Sequence, residues 1–75
     1  MAWQNSKTIG GLWANNEANN AWAWVDGLGW RECDYRNNTT NLLILAAHAK
    51  EGRRFVDFNE EVRPDRTLIV EMYVW

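Results

Sequence analysis

Between Asn20 and Val25 the chain alternates without a break, with Trp22 and Trp24 on one side of an extended backbone and Ala21, Ala23 and Val25 on the other. Successive side chains of a strand point to opposite faces, so this is the pattern of a half-buried β-strand. Asp26-Gly27 follows at once. That dipeptide readily takes the positive φ of a hairpin turn, and Leu28 to Cys33 resumes an extended pattern, so the two segments are expected to pair as a hairpin. The alternation leaves one choice open: the two indoles point either into the core or outward as a platform, since Ala21, Ala23 and Val25 make a lean but workable inner face.

The other elements arrange themselves around this hairpin. Lys7 to Trp13 reads as a strand with a bulge or tight bend at Gly10-Gly11. Nine asparagines fall mostly in two clusters, which mark polar loops at Ala14 to Asn19 and Asp34 to Thr40. Asn38, Thr39 or Thr40 can cap a helix expected over Asn41 to Glu51, with Gly52 as its left-handed terminator and Lys50 suiting the dipole in the last turn. Arg53 to Phe58 reads as a strand, Asn59 to Arg66 as a charged loop around Pro64, and Thr67 to Trp75 as the final strand. On that strand Leu68, Val70, Met72 and Val74 share one face, and Ile69, Glu71, Tyr73 and Trp75 the other. The expected order is β-β-β-α-β-β, a mostly β (α+β) fold. It fits an OB-like five-stranded Greek-key barrel made of a single domain over residues 1–75.

Composition bounds what such a domain can do. With 75 residues and one cysteine, Cys33, it has no internal disulfide and no multi-cysteine zinc site to supplement a small core. Six tryptophans exceed what a domain of this volume can hide, so some must face a ligand, a partner or another copy. A net charge of −2 argues against general binding to nucleic acid or anionic membranes. The longest apolar run, Leu42 to Ala47, is far too short to span a bilayer, and Met1 to Lys7 has no signal-peptide core. The expected location is cytoplasmic by default, and secreted only if a leader was removed.

The stretch Leu43-Ile44-Leu45-Ala46-Ala47-His48-Ala49-Lys50-Glu51-Gly52, followed by a strand and then by Leu68 to Trp75, resembles the cell-binding B subunits of Shiga-type toxins. The resemblance lies in length, in a Leu-rich helix ending in Gly, and in the closing strand. It implies a ring of five OB-fold subunits with helices lining a central pore and glycans on the outer surface. It also implies sugar contacts from the loop holding Asn15, Asn16, Glu17, Asn19 and Asn20, and from Trp30. The internal disulfide of those subunits has no counterpart here.

The residues support two of these expectations on their own. At 100° per residue Leu42, Leu45, Ala46 and Ala49 form one apolar helix stripe, and Leu43, Ile44 and Ala47 lie opposite. One stripe can meet the barrel; the other, with His48 and the strand residues Ile69, Tyr73 and Trp75, is expected to meet a neighbouring subunit, unless the Asp34 to Thr40 loop covers it. Trp22, Trp24 and Trp30 on the hairpin can stack on the apolar face of a sugar ring, with Asn15, Asn16, Glu17 and Asn19 supplying polar partners for its hydroxyls. A Cys33–His48 pair oriented by Asp34 is conceivable as a nucleophile, but a small buried cysteine and an interface histidine are the simpler reading. No cofactor, metal ligand set or catalytic residue is expected. The expectation is a non-catalytic, homo-oligomeric, glycan-binding module. A single-stranded nucleic-acid-binding module, using the same indoles, and a purely structural self-assembling module are the alternatives.

Overall fold

The computed structural model describes residues 1–36 and 38–75; Asn37, within the expected polar loop, lies outside them. The fold is mostly β with one helix, and its order is β1 (Ala2–Lys7), β2 (Ile9–Ala14), β3 (Ala21–Val25), β4 (Gly29–Cys33), α1 (Thr39–Gly52), β5 (Val56–Val62) and β6 (Thr67–Val74). The expected order of three strands before the helix is therefore corrected to four. The extra strand is β1, whose sequence Ala-Trp-Gln-Asn-Ser-Lys is too polar to show a strand period. Its reason to pair lies far along the chain, where Gln4 donates its amide to Glu60 at 2.9 Å and Trp3 lies opposite Asn59.

All six strands make one mixed sheet in the order β1-β5-β6-β4-β3-β2. Neighbours are antiparallel except β4 and β6, which run parallel through Glu32 opposite Leu68 and Cys33 opposite Ile69. The two outermost strands, β1 and β2, are separated only by Thr8. The sheet therefore rolls round until its edges meet at that residue. The bend is absorbed by Ser6, at φ 55°, and by a slip of the β2–β3 register at Gly10. A Cβ at Gly10 would collide with the Asp26 carboxylate, which accepts a hydrogen bond from the Thr8 hydroxyl at 2.6 Å. The β3–β4 turn closes with Leu28 N–H donating to Val25 C=O at 2.9 Å, Gly27 taking the φ of +84° that such a turn requires.

The interior is filled from both halves of the sheet and from one helix face. Ala23, Val25, Cys33, Val56, Phe58 and Ile69 are fully buried, with Leu42, Ala46 and Ala49 of α1 against them. The small inner face of β3 leaves space that a polar lock occupies. Arg31 of β4 reaches across through Nε to Glu60 of β5 at 3.1 Å, and its Nη1 donates to the Leu28 and Trp30 carbonyls. Glu60 is buried with both carboxylate oxygens bonded, one by Arg31 and one by Gln4. This pairing explains why β5 runs through Asn59, Glu60 and Glu61, a stretch whose charge reads as loop in the sequence.

Two expectations about the helix and the last strand are corrected. Gly52 stays helical and Arg53 takes the left-handed position at φ 52°. Arg53 N–H donates to Lys50 C=O at 3.3 Å and Arg54 N–H to Ala49 C=O at 2.9 Å, the pair of bonds of a Schellman terminus. On β6, Asn59 faces Glu71 while Glu60 faces Ile69, so Val70 is an extra residue in the ladder and the alternation reverses there. Ile69 consequently turns inward and is fully buried, and it does not belong with Tyr73 and Trp75 on the outer face.

Candidate functional site

The alternation on β3 resolves with Ala21, Ala23 and Val25 inside. Trp22, half-buried, and Trp24, exposed, lie on the outer face, beside Trp13 of β2 and Trp30 of β4. Trp13 stands directly opposite Trp22, and Trp24 opposite Trp30. Two glycines lie against this aromatic face. A Cβ at Gly11 would touch Trp24 Cβ at 3.4 Å and Trp30 Cη2 at 4.0 Å, and one at Gly29 would meet the six-membered ring of Trp24 at 3.9 Å. Trp24 and Trp30 meet edge to face, with centroids 5.5 Å apart at 81°, an arrangement that suits the opposite charge of ring edge and ring face.

An open groove of about 560 Å³ is lined by Trp13, Trp22, Trp30, Asn20 and Arg66. Its walls come from three strands and from the two loops that flank them. Trp22 is fixed from both sides. Its indole N–H donates to Asn20 Oδ1 at 2.9 Å, and the Arg66 guanidinium lies 5.8 Å from its ring centroid. Arg66 is in turn held by Glu32, which is buried on β4 opposite Trp22, at 2.5 Å, and by Asp65 at 3.1 Å. The Glu32 hydrogen bond above all raises the Arg66 pKa, so the guanidinium stays charged while its charge is compensated.

The loop between β2 and β3 acts one step back from the groove. Asn15 Oδ1 accepts the Glu17 backbone N–H at 3.0 Å, and Asn15 Nδ2 donates to Glu17 Oε1 at 2.6 Å. Both side chains accept from Asn20 Nδ2, at 3.4 and 3.3 Å, which orients Asn20 towards Trp22. Asn16 and Asn19 are exposed in the same loop, Asn19 at φ 58°. Of the expected ligand residues, Trp22 and Trp30 line the groove, Trp24 buttresses Trp30, and Asn15 and Glu17 position Asn20. Asn20, a candidate through the family resemblance, lines the groove as well, whereas Trp13 and Arg66 were not anticipated. Trp13 belongs to a strand already placed next to the site, and only its register opposite Trp22 shows that it faces the groove. Arg66 lies 36 residues from Trp30 along the chain and arrives through the parallel pairing of β4 with β6.

A second, smaller hollow of about 220 Å³ adjoins on the far side of Arg66, lined by Tyr35, Arg63, Asp65 and Arg66. Here too the charges are matched. Arg63 pairs with Glu61 at 2.7 Å and donates to the Tyr35 hydroxyl at 2.9 Å, and Arg36 pairs with Asp34 at 2.8 Å.

The remaining candidates fall elsewhere. Cys33 is buried, and burial first, then the Glu32 charge, pushes its thiol up to about 11, opposite to the shift a nucleophile needs. His48, Ile44 and Ala47 are exposed on α1, and Leu43 is half-buried. Among the described residues no three His, Cys, Asp or Glu side chains gather as a metal site. No protein-family model, curated protein or solved structure matches the chain.

Proposed function

We propose that the chain is a non-catalytic, self-assembling carbohydrate-binding module whose groove across β2, β3 and β4 takes a saccharide. The observation that carries this reading is the groove itself. Three indoles supply flat apolar surface for the C–H face of a sugar ring, while the Asn20 amide and the Arg66 guanidinium supply polar partners at its rim. An OB-like barrel is part of the proposal. Taking β1 and β2 as one bent strand converts the order β1-β5-β6-β4-β3-β2 into a closed five-strand circuit with one parallel pair. The groove then occupies the strand-two and strand-three face between flanking loops, where OB-folds hold oligosaccharides and oligonucleotides. The resemblance to toxin B subunits points the same way, and the exposed Ile44, Ala47, His48, Tyr73 and Trp75 support assembly into a ring.

Electrostatics favours sugar over single-stranded nucleic acid in this groove. Its one cation, Arg66, is matched by Glu32 and Asp65, and Glu17 stands near the other end, so a phosphate backbone meets no uncompensated positive charge. Binding is to be measured by tryptophan fluorescence against a glycan array and a single-stranded oligonucleotide at low and high salt. Saccharide binding is expected with little salt dependence, around millimolar per site and strengthened by multivalency in a ring. Binding only to the oligonucleotide, weakening steeply with salt, overturns the reading in favour of a nucleic-acid module.

A further inference from the structure

A second exposed aromatic surface lies on the other half of the sheet. Trp3, Tyr73 and Trp75 form a row on the outer face of β1, β5 and β6, with successive centroids 5.8 and 5.7 Å apart and rings within 25° and 17° of parallel. They are 44%, 53% and 64% exposed. Two carboxylates border the row. Asp57 accepts the Trp75 indole N–H at 3.1 Å, and Glu71 accepts the Asn59 amide at 3.0 Å. Among the described residues neither has a cation at ion-pair distance. Beside them Asn59 Oδ1, shielded from solvent, accepts no hydrogen bond. Aromatic faces bordered by carboxylates that lack a cation, Asp57 also accepting the Ser6 backbone N–H at 2.8 Å, suit side chains that only donate and carry positive charge, namely Lys and Arg.

The chain gathers three such side chains, without carboxylate side-chain partners among the described residues, at the C-terminal end of α1. Arg31, Arg36, Arg63 and Arg66 each have a carboxylate partner, whereas Lys7 on β1 and Lys50, Arg53 and Arg54 have no carboxylate side-chain partner among the described residues, and only the last three are grouped, at the C-terminal end of α1. Among the described residues the Arg54 side chain donates one hydrogen bond, to the Trp75 backbone oxygen at 3.4 Å, so this end of α1 borders the aromatic row of its own chain.

We infer that these surfaces are the two halves of one contact, in which the aromatic and carboxylate face of one copy receives the Lys50–Arg54 end of α1 from a second copy. The inference rests on the self-assembly reading above and assigns its interface. A face-to-face contact of two such sheets would set one face bearing Asp57 and Glu71 against another of the same charge, and like charges at an interface are strongly disfavoured. Sheet against helix end sets carboxylate against guanidinium and lets the planar guanidinium groups lie on indole and phenol faces. Because the two halves differ, the contact is head-to-tail, and assemblies built from it close as rings or extend as filaments.

Reciprocal charge reversal tests this, with mass followed by light scattering and sedimentation and near-ultraviolet circular dichroism confirming that each variant is folded. Glu71→Arg alone, and Arg53→Glu with Arg54→Glu, are each expected to weaken assembly about tenfold or more. All three changes in one chain are expected to restore it, and high salt is expected to weaken the unaltered protein. Folded variants that assemble as before overturn the inference while leaving self-assembly intact. Loss in both reversals without recovery in the combination overturns the charge pairing. A monomeric unaltered protein at high concentration removes the assembly reading itself.

Discussion

Arg53 holds a backbone conformation that disfavours any side chain with a Cβ, at a cost of about 1 kcal/mol. Replacing it by glycine keeps both Schellman bonds and relieves the strain. Arg53→Gly is expected to raise the free energy of unfolding by about 1 kcal/mol, measured by urea at a dilution where assembly makes no contribution. Cys33 illustrates the opposite case, a reactive residue made inert. With its thiol pushed up to about 11, the folded protein is expected to resist iodoacetamide at neutral pH and to be labelled only as fast as it unfolds. Rapid labelling of folded protein would show the site open. Asp34 supplies a pH dependence of definite sign. Hydrogen bonds from the Arg36 guanidinium, at 2.8 and 2.9 Å, hold its carboxyl below the usual carboxylate range. The folded state therefore binds this proton less readily than the unfolded chain. The resulting stability is complete above a pH of about 4 and is lost as pH falls through the folded value. The urea midpoint should drop on acidification, and Asp34→Asn should flatten that part of the profile.

Among the elements, those with a local signal were readable and those held by distant partners were not. The β3–β4 hairpin is written in six alternating residues and a turn dipeptide, and the core stripe of α1 in the spacing of Leu42, Ala46 and Ala49. β1 and the second half of β5 carry no such period. They become strands because Gln4, Glu60 and Arg31 satisfy one another across the interior, a match between residues up to 56 positions apart. The bulge at Val70 is equally silent in the sequence, and it alone moves Ile69 from the outer face to the core. The lock offers a direct check. Glu60→Ala leaves Arg31 and Gln4 without their acceptor in a largely buried setting and is expected to cost about 3 kcal/mol, read by thermal unfolding. A loss under about 1 kcal/mol would mean that the lock is dispensable.

At the scale of the molecule the tryptophan excess divides between two faces with different electrostatics. One is a groove whose cation is compensated on both sides, the other a row of rings edged by unpaired carboxylates. The indoles on the hairpin were visible as candidates from their spacing. The two-sided clamp on Trp22, by Asn20 and Arg66, required the tertiary path that brings the β5–β6 loop beside β4. The division predicts separable roles: the groove for ligand and the row for contact with another copy. Calorimetric titration of a saccharide selected from the array tests the ligand half most directly, comparing Trp22→Ala and Trp30→Ala with Trp3→Ala as the change on the other face. Either groove substitution is expected to abolish measurable binding at a single site, while Trp3→Ala is expected to leave the per-site affinity unchanged. Saccharide affinity that survives the loss of both Trp22 and Trp30 in folded protein, or that disappears with Trp3, would contradict this division of roles.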